Sequence, residues 1–307
     1  MKQLLSILLI AILSTSVVYG QKTGNFEKLI EETNRYLNVY DGLTPFGEYY
    51  SVKELGLTKK EIKEIVSYNN DCIPTKKDSI EAHDAIMFFQ DLIIKNIGKI
   101  IEHKEFYKLN DNDLPALGII KSKDNKLYNF KLYENSGGSY HSCFSIMFYR
   151  DNSTLINAEY STEGDSESFF KRDGYVGIDT INTSDGTKYV LTGWVQGCNA
   201  CFETSIELVQ FKDGEWINDF SYSVESRSYN EVLLYDPKTK TISVEYETDD
   251  LTQSCTCEQK QEPEYDSYFD WNNRKSCECT FVFNGETFEL AKQCWEIIHN
   301  KTTNEEE

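Results

Sequence analysis

The chain between residues 26 and 105 has the hydrophobic spacing of amphipathic helices. Phe26, Leu29, Ile30, Leu37 and Tyr40 recur at intervals of three, four and seven residues. This spacing places the five side chains on one face of a helix. The sequence therefore predicts a first helix that packs through that face.

Two further helices are predicted downstream. Thr58 stands three residues before Glu61, which is a capping-box start for a short helix. A longer apolar stripe runs from about Asp78 to Lys104. Its members are Ile86, Phe89, Ile93, Ile97, Ile100 and Ile101. Such a stripe is typical of a long helix with one buried side.

After Pro115 the hydrophobic period falls to two residues. Aromatic and β-branched residues become frequent, and turn residues follow at short intervals, which indicates antiparallel strands. The predicted strands are 126–133, 140–149, 188–195, 201–211, 215–224, 231–235, 241–246 and 277–283. Hairpin turns are predicted at Asp124-Asn125, Asp185-Gly186, Asp213-Gly214 and Asn284-Gly285.

These turns and strands repeat along the chain. The turn at Asp124, followed by Tyr128, matches the turn at Asp185, followed by Tyr189. A third, more divergent copy runs between Tyr235 and Glu286. Each copy is expected to form about four antiparallel strands, and a meander, a sandwich and a propeller-like arrangement all fit such units.

The opening of the chain has the pattern of a secretory signal. Lys2 precedes an apolar run over 4–13, and Val18-Tyr19-Gly20 offers small residues where a signal peptidase cleaves. The run is too short for a stable membrane anchor. We therefore expect residues 1–20 to be a signal peptide cleaved before Gln21, and the mature chain to be secreted or periplasmic with no membrane span.

Together these patterns predict an α+β protein with a defined order of regions. A signal peptide over 1–20 precedes a helical region over 21–110. An antiparallel β repeat domain over 111–299 follows, and 300–307 form an acidic tail.

The composition narrows the class of partner. The chain has 31 basic and 51 acidic residues and a formal net charge of −20. Such a field repels phosphate backbones and anionic lipid headgroups, so nucleic acid and membrane surfaces are not expected partners. A protein or a glycan is the expected partner class.

Several of these stretches are similar to known exported proteins. The run from Asp124 to Gly138, the turn Asp185-Gly186-Thr187-Lys188-Tyr189 and Phe283-Asn284-Gly285 resemble a loose group of exported bacterial proteins. Members of that group pair a helical N-terminus with β-meander repeats and have no assigned activity. The resemblance implies a fold and export, because its motifs are turns and strands without a catalytic residue. The cysteine clusters and the segment 253–276 depart from that pattern.

Nine cysteines supply the most distinctive chemistry, and an odd number leaves at least one outside an intramolecular disulfide. Cys255 and Cys257, and likewise Cys277 and Cys279, are two residues apart, so each pair presents both sulfurs on one face of a strand. If the two segments pair antiparallel, Cys255 faces Cys279 and Cys257 faces Cys277. Four sulfurs so placed form two disulfides or one zinc site, and an oxidising compartment favours disulfides.

Cys198 and Cys201 form a second cluster with two residues between them. A redox role requires a lowered thiolate pKa, usually from a helix N-terminus, whereas a strand follows this pair. A short structural disulfide is the prediction, with a pair of metal ligands as the alternative.

A third cluster, Tyr140-His141-Ser142-Cys143, suggests hydrolase chemistry. His141 and Cys143 share one face of a strand, but no orienting acid stands near them in the sequence. The acidic stretch Glu163, Asp165, Glu167 lacks the spacing of a calcium loop.

Three function classes follow from the sequence. The leading hypothesis is a non-enzymatic binding protein that uses exposed aromatic residues. Trp194, Trp216, Tyr140 and Tyr175 are its candidates for protein or glycan contact. The alternatives are an extracellular hydrolase that uses His141 and Cys143 or acidic residues, and a zinc-binding protein that uses the Cys-x-Cys pairs. No catalytic residue and no cofactor are assigned.

Overall fold

The computed structural model is an α+β protein, as the sequence predicts. It describes residues 26–68, 79–110, 112–151, 154–160, 174–199, 201–226, 232–248, 251 and 273–299. The predicted signal peptide and the acidic tail lie outside these ranges. The chain divides into two compact units, 1–118 and 119–307, where the sequence placed the boundary after residue 110.

The first unit is built on helices. The described helices are α1 (Phe26–Asp41), α2 (Lys59–Tyr68), α3 (Ala82–Glu102) and a 3₁₀ turn (Phe106–Lys108). A two-stranded ribbon of β1 (Tyr49–Ser51) and β2 (Ser79–Glu81) accompanies them. All six predicted stripe positions of α3 are buried. No described helix combines the length and the apolar composition that a membrane crossing requires.

The predicted capping box is present at the start of α2. The backbone N–H of Thr58 donates to Glu61 Oε2 at 2.6 Å, and the N–H of Glu61 donates to Thr58 Oγ1 at 3.3 Å. Arg35 and Tyr36 of α1 also donate to Glu61 Oε1. Burial alone raises the pKa of Glu61, but the hydrogen bonds from Arg35, Tyr36 and Thr58 outweigh it and lower that pKa to about 2.

The second unit contains three four-stranded antiparallel sheets in chain order, each a meander. The first sheet has β3 (Gly118–Lys121), β4 (Leu127–Tyr133), β5 (Cys143–Asp151) and β6 (Thr154–Tyr160). The second has β7 (Tyr175–Thr183), β8 (Gly186–Cys198), β9 (Cys201–Lys212) and β10 (Glu215–Ser226). The third has β11 (Leu233–Asp236), β12 (Thr241–Thr248), β13 (Asn273–Phe283) and β14 (Phe288–His299). The predicted repeat of four-stranded units is therefore present, and four of the strands, β3, β6, β7 and β14, were not predicted.

The predicted turns adopt the left-handed backbone that hairpins require. Asp213 and Gly214 have φ values of 55° and 91°, and Gly285 has 113°. Positive φ at both Asp213 and Gly214 is typical of a two-residue hairpin loop and suits the Asp-Gly sequence there. Gly285 lies instead in a four-residue connection between Phe283 and Phe288.

The middle sheet is covered on both faces. Val190, Ile206 and Leu208 belong to one core cluster with the third sheet. Tyr189 and Leu191, one residue away on β8, belong to a second cluster with Leu127 and Met147 of the first sheet. Because successive side chains on a strand point to opposite faces, the continuous apolar run Tyr189-Val190-Leu191 is explained by this double packing.

A buried cation also joins the second and third sheets. Lys188 Nζ lies 2.6 Å from Asp219 Oδ2 and donates to the carbonyl of Glu286 at 2.7 Å. The Lys188 side chain is nearly inaccessible, and its charge is therefore compensated within the protein.

Candidate ligand-binding cleft

The packing of the middle sheet against the third sheet opens at one end into a cleft of about 410 Å³. On β8 and β9 the facing pairs run from Val190 and Leu208, which are buried, to Trp194 and Thr204. Residues of the middle sheet that line the cleft include Val176, Asp179, Thr192, Trp194, Phe202, Thr204 and Ser205. The opposite wall is formed by Leu233, Leu234 and Tyr235 of β11.

The rim of this cleft is apolar and exposed. Val176, Trp194 and Leu234 expose 42%, 38% and 51% of their surface. Half of the six large exposed hydrophobic residues described in the second unit therefore surround one opening. Such clustering marks interaction surfaces, whereas single exposed apolar residues carry no such information.

A β-bulge places one of the rim residues. Tyr175 pairs with Gly193 and Gly177 pairs with Thr192, so Val176 is the extra residue of β7. Bulges re-aim side chains at functional edges. Here the bulge brings Val176 to the side of the cleft.

Gly174 fixes the backbone beside Trp194. Its N–H donates to the carbonyl of Cys143 at 2.7 Å, and its carbonyl accepts from the N–H of Trp194 at 2.9 Å. Gly174 has a φ of +77°, and a Cβ at this position would lie 2.4 Å from the Trp194 carbonyl oxygen. Only glycine fits this close approach without a shift of backbone.

The indole of Trp194 has support from one neighbour. The ring of Phe202 lies 6.0 Å away, centroid to centroid, at an interplanar angle of 30°. This stacking holds the indole while more than a third of the Trp194 surface stays accessible. Trp194 and Phe202 therefore form a stacked aromatic platform at the cleft.

Two hydroxyl groups in the cleft wall have no hydrogen-bond partner among the described residues. They are Thr204 Oγ1 and Tyr235 OH, and both atoms are shielded from bulk water. Buried polar groups without a partner are rare in folded proteins, and each costs about 1–3 kcal/mol. Two such groups therefore lie among the residues that line this one cleft.

The electrostatics keep Tyr235 protonated. Burial, then the carboxylate of Asp179, then that of Asp236, raise its pKa to about 12. The phenol is therefore a hydrogen-bond donor at physiological pH. Asp179 Oδ1 is paired with Lys123 Nζ at 3.0 Å, which partly balances the negative charge at the cleft.

The four predicted aromatic candidates have different environments. Trp194 lines the cleft, whereas Tyr175 is fully buried and donates to Glu207 Oε2 at 2.8 Å. Trp216 packs against the core between the first and second sheets, and Tyr140 is only partly exposed. Of the four, Trp194 alone lines the cleft, and sequence reasoning missed its partners Val176, Asp179, Thr204 and Tyr235.

The His141 cluster contains no described acid–base–nucleophile arrangement. His141 Nδ1 lies 2.6 Å from the phenol oxygen of Tyr133. The described hydrogen-bond partner of this imidazole is therefore a phenol and not a carboxylate. Burial, the largest influence, raises the pKa of the Cys143 thiol. A raised pKa leaves less thiolate at neutral pH, which makes Cys143 a weak nucleophile. Ser142 is buried, and the acidic stretch 161–173 lies outside the described residues.

Cys198 and Cys201 form a disulfide that closes the β8–β9 hairpin. The hairpin carries Trp194 and Phe202 toward the cleft. No helix begins at these cysteines, so the structural interpretation of this pair fits its surroundings.

The geometric basis of the other predicted disulfides is wrong. The sequence argument required the segment with Cys255 and Cys257 to pair directly with the strand that carries Cys277 and Cys279. Both edges of β13 are already occupied at these positions. The cross-strand neighbours are Tyr246 and Trp295 for Cys277, and Val244 and Gln293 for Cys279.

The Cys255–Cys279 and Cys257–Cys277 disulfides themselves stay predictions, because Cys255 and Cys257 lie outside the described residues. Cys277 is disulfide-bonded. The cysteine to which it is bonded is one whose side chain the structure does not describe. A sulfur in a disulfide is not a thiolate ligand, so this state does not provide the four-cysteine zinc site. Within the described ranges, no three His, Cys, Asp or Glu side chains converge to hold a metal ion.

Comparison with known proteins finds no matching family model, no similar curated protein and no similar solved structure. The interpretation of the cleft therefore rests on its own geometry and chemistry.

Proposed function

We propose that this chain is a secreted or periplasmic binding protein without enzymatic activity, and that its ligand enters the cleft between the second and third β sheets. The observation that carries the proposal is the ring of exposed apolar side chains, Val176, Trp194 and Leu234, around a cavity of about 410 Å³. A concave site of this size that combines apolar side chains with polar groups is a common form of a small-ligand site, and polar and apolar surface contribute equally here.

The polar groups of the cleft give the site its orientation. Thr204 Oγ1 and Tyr235 OH lack described partners, and Asp179 supplies a carboxylate beside Tyr235. Asp179 is accessible to a ligand, and the shielded hydroxyls of Thr204 and Tyr235 reach one once their side chains turn toward it, whereas none of the three is an activated nucleophile. The cleft therefore supports binding better than it supports catalysis.

A screen by thermal unfolding tests the proposal. Purified mature chain is melted with panels of neutral saccharides, short peptides and nucleosides, alongside Trp194→Ala and the control Ile217→Ala. Ile217 is as exposed as Val176 but does not line the cleft. At a ligand concentration 100 times the Kd, the expected rise in Tm is about 5 °C.

We expect wild type and Ile217→Ala to respond to the same panel, and Trp194→Ala to lose that response. A response that survives Trp194→Ala unchanged, or the absence of a response in every panel, contradicts the proposal.

A further inference from the structure

We infer that the ligand of this cleft is a neutral saccharide whose sugar ring stacks on the indole of Trp194. The inference rests on the proposed function and names the chemical class of its ligand. It is argued from the platform, the hydroxyl groups and the charge of the site.

Trp194 and Phe202 form the aromatic part of the cleft wall. Phe202 supports the indole at 6.0 Å, and 38% of the Trp194 surface is accessible at the rim. The face of an aromatic ring carries partial negative charge, which attracts the partly positive C–H groups on one side of a pyranose ring. Val176 and Leu234 add exposed apolar side chains to the same cleft.

The polar part of the cleft wall includes Thr204, Tyr235 and Asp179. Sugar hydroxyls donate hydrogen bonds that the accessible Asp179 carboxylate accepts. The shielded hydroxyls of Thr204 and Tyr235 donate and accept further hydrogen bonds once their side chains turn toward the ligand. A wholly apolar ligand would leave Thr204 Oγ1 and Tyr235 OH without partners, whereas a polyhydroxylated ligand has groups to offer them.

The charge step selects a neutral sugar. None of the described residues that line the cleft is basic, and Asp179 contributes a negative charge. The cation that pairs with Asp179, Lys123, is engaged by that carboxylate at 3.0 Å. With a net charge of −20 for the whole chain, sialylated, sulfated or uronic acid glycans are disfavoured.

An extended peptide is the competing occupant, because β7 and β11 are both edge strands at the cleft. A peptide that adds a strand needs a regular row of backbone groups. The bulge at Val176 interrupts that row on β7.

The test is a glycan array that holds neutral, sialylated, sulfated and uronic acid glycans, read beside a peptide array. The strongest neutral glycan is then titrated by calorimetry into wild type, Trp194→Ala, Trp194→Phe and Asp179→Asn. Ile217→Ala and Glu215→Gln are the matched controls, and circular dichroism checks that each variant folds.

We expect neutral glycans to bind, with a loss of tenfold or more in Trp194→Ala and in Asp179→Asn, and a loss of about threefold in Trp194→Phe. The two controls should bind as wild type does. Preferential binding of charged glycans, or neutral binding that both Trp194 variants leave unchanged, overturns the inference. If peptides bind and only that binding depends on Trp194, the saccharide inference fails while the proposed function stands. If no binding depends on Trp194, both fail.

Discussion

The two ends of the middle β sheet differ although the same strands form both. At Val190 and Leu208 the face toward the third sheet is fully buried. Four pairs further along, at Trp194 and Thr204, the same face borders an open cleft. The strand pairing between β8 and β9 continues without a shift across this distance, so the difference arises from what covers the sheet and not from the strands.

This comparison separates residues that stabilise the fold from residues that are available for a ligand. Side chains at the covered end lose apolar surface on folding and hold the sheets together. Side chains at the open end keep part of their apolar surface, and two of the hydroxyls there have no hydrogen-bond partner in the part of the chain that the structure describes. The cleft therefore lies where the third sheet no longer covers the middle sheet, while the pairing of β8 with β9 continues unchanged.

The largest effect is expected at the covered end. Leu208→Ala removes a fully buried side chain and should lower the free energy of unfolding by about 2–5 kcal/mol. Trp194→Ala at the open end should cost clearly less, because much of the indole is accessible. Urea unfolding of both variants measures the difference. Equal losses would show that the two ends are equally structural.

A smaller loss of stability is expected at Gly174, whose backbone lies against that of Trp194. Gly174→Ala should lower stability by about 1–3 kcal/mol, because φ is positive and the new Cβ would meet the Trp194 carbonyl. Gly138→Ala is the matched control, since Gly138 has a similar φ of +70° with no atom within 4 Å. A loss no greater than that of Gly138→Ala would remove the close approach as its cause.

A change of opposite sign is expected at Tyr235. Tyr235→Phe removes a shielded hydroxyl without a described partner, so stability should stay equal or rise by up to about 1 kcal/mol. Tyr175→Phe removes a buried hydroxyl that donates to Glu207 and should cost about 1–3 kcal/mol. Urea unfolding compares the two variants, and a clear loss in Tyr235→Phe would show that its hydroxyl is satisfied in the folded protein.

The smallest effect is a pH dependence at the same residue. The pKa of Tyr235 is raised from 10.0 to about 12 in the folded protein, so folding favours the protonated phenol. This contribution is complete below pH 10 and is lost as the pH rises through about 12. Tyr235→Phe should therefore lose less stability than wild type over this range, in unfolding curves measured at steps of pH. Parallel curves would indicate an unshifted phenol.

Much of this fold follows from local sequence. Thr58 and Glu61 identify the start of α2, and the stripe on α3 identifies its buried face. The strand β14 was missed because Leu290, Ala291 and Lys292 favour helices, and pairing with β13 overrides that preference.

The cleft was only partly predictable. Trp194 was singled out as an exposed aromatic candidate, but β7, which supplies Val176 and Asp179, was missed because Gly177 and Asp179 disturb its strand pattern. The opposite wall of the cleft comes from β11, whose Leu234 lies 40 residues after Trp194 in the chain. The hydrophobic period within one strand predicts which face of that strand is buried, but it does not predict which other sheet packs there.

The most direct measurement of the central claim is an NMR titration that follows the indole N–H signals of the four tryptophans. Trp194→Phe assigns the signal at the cleft, and Trp216, which packs against the opposite face of the middle sheet, serves as the internal reference. On addition of the neutral glycan selected by the array, the account predicts a saturable shift of the Trp194 signal with Trp216 unmoved. A saturable shift of Trp216 with Trp194 unmoved would contradict the account.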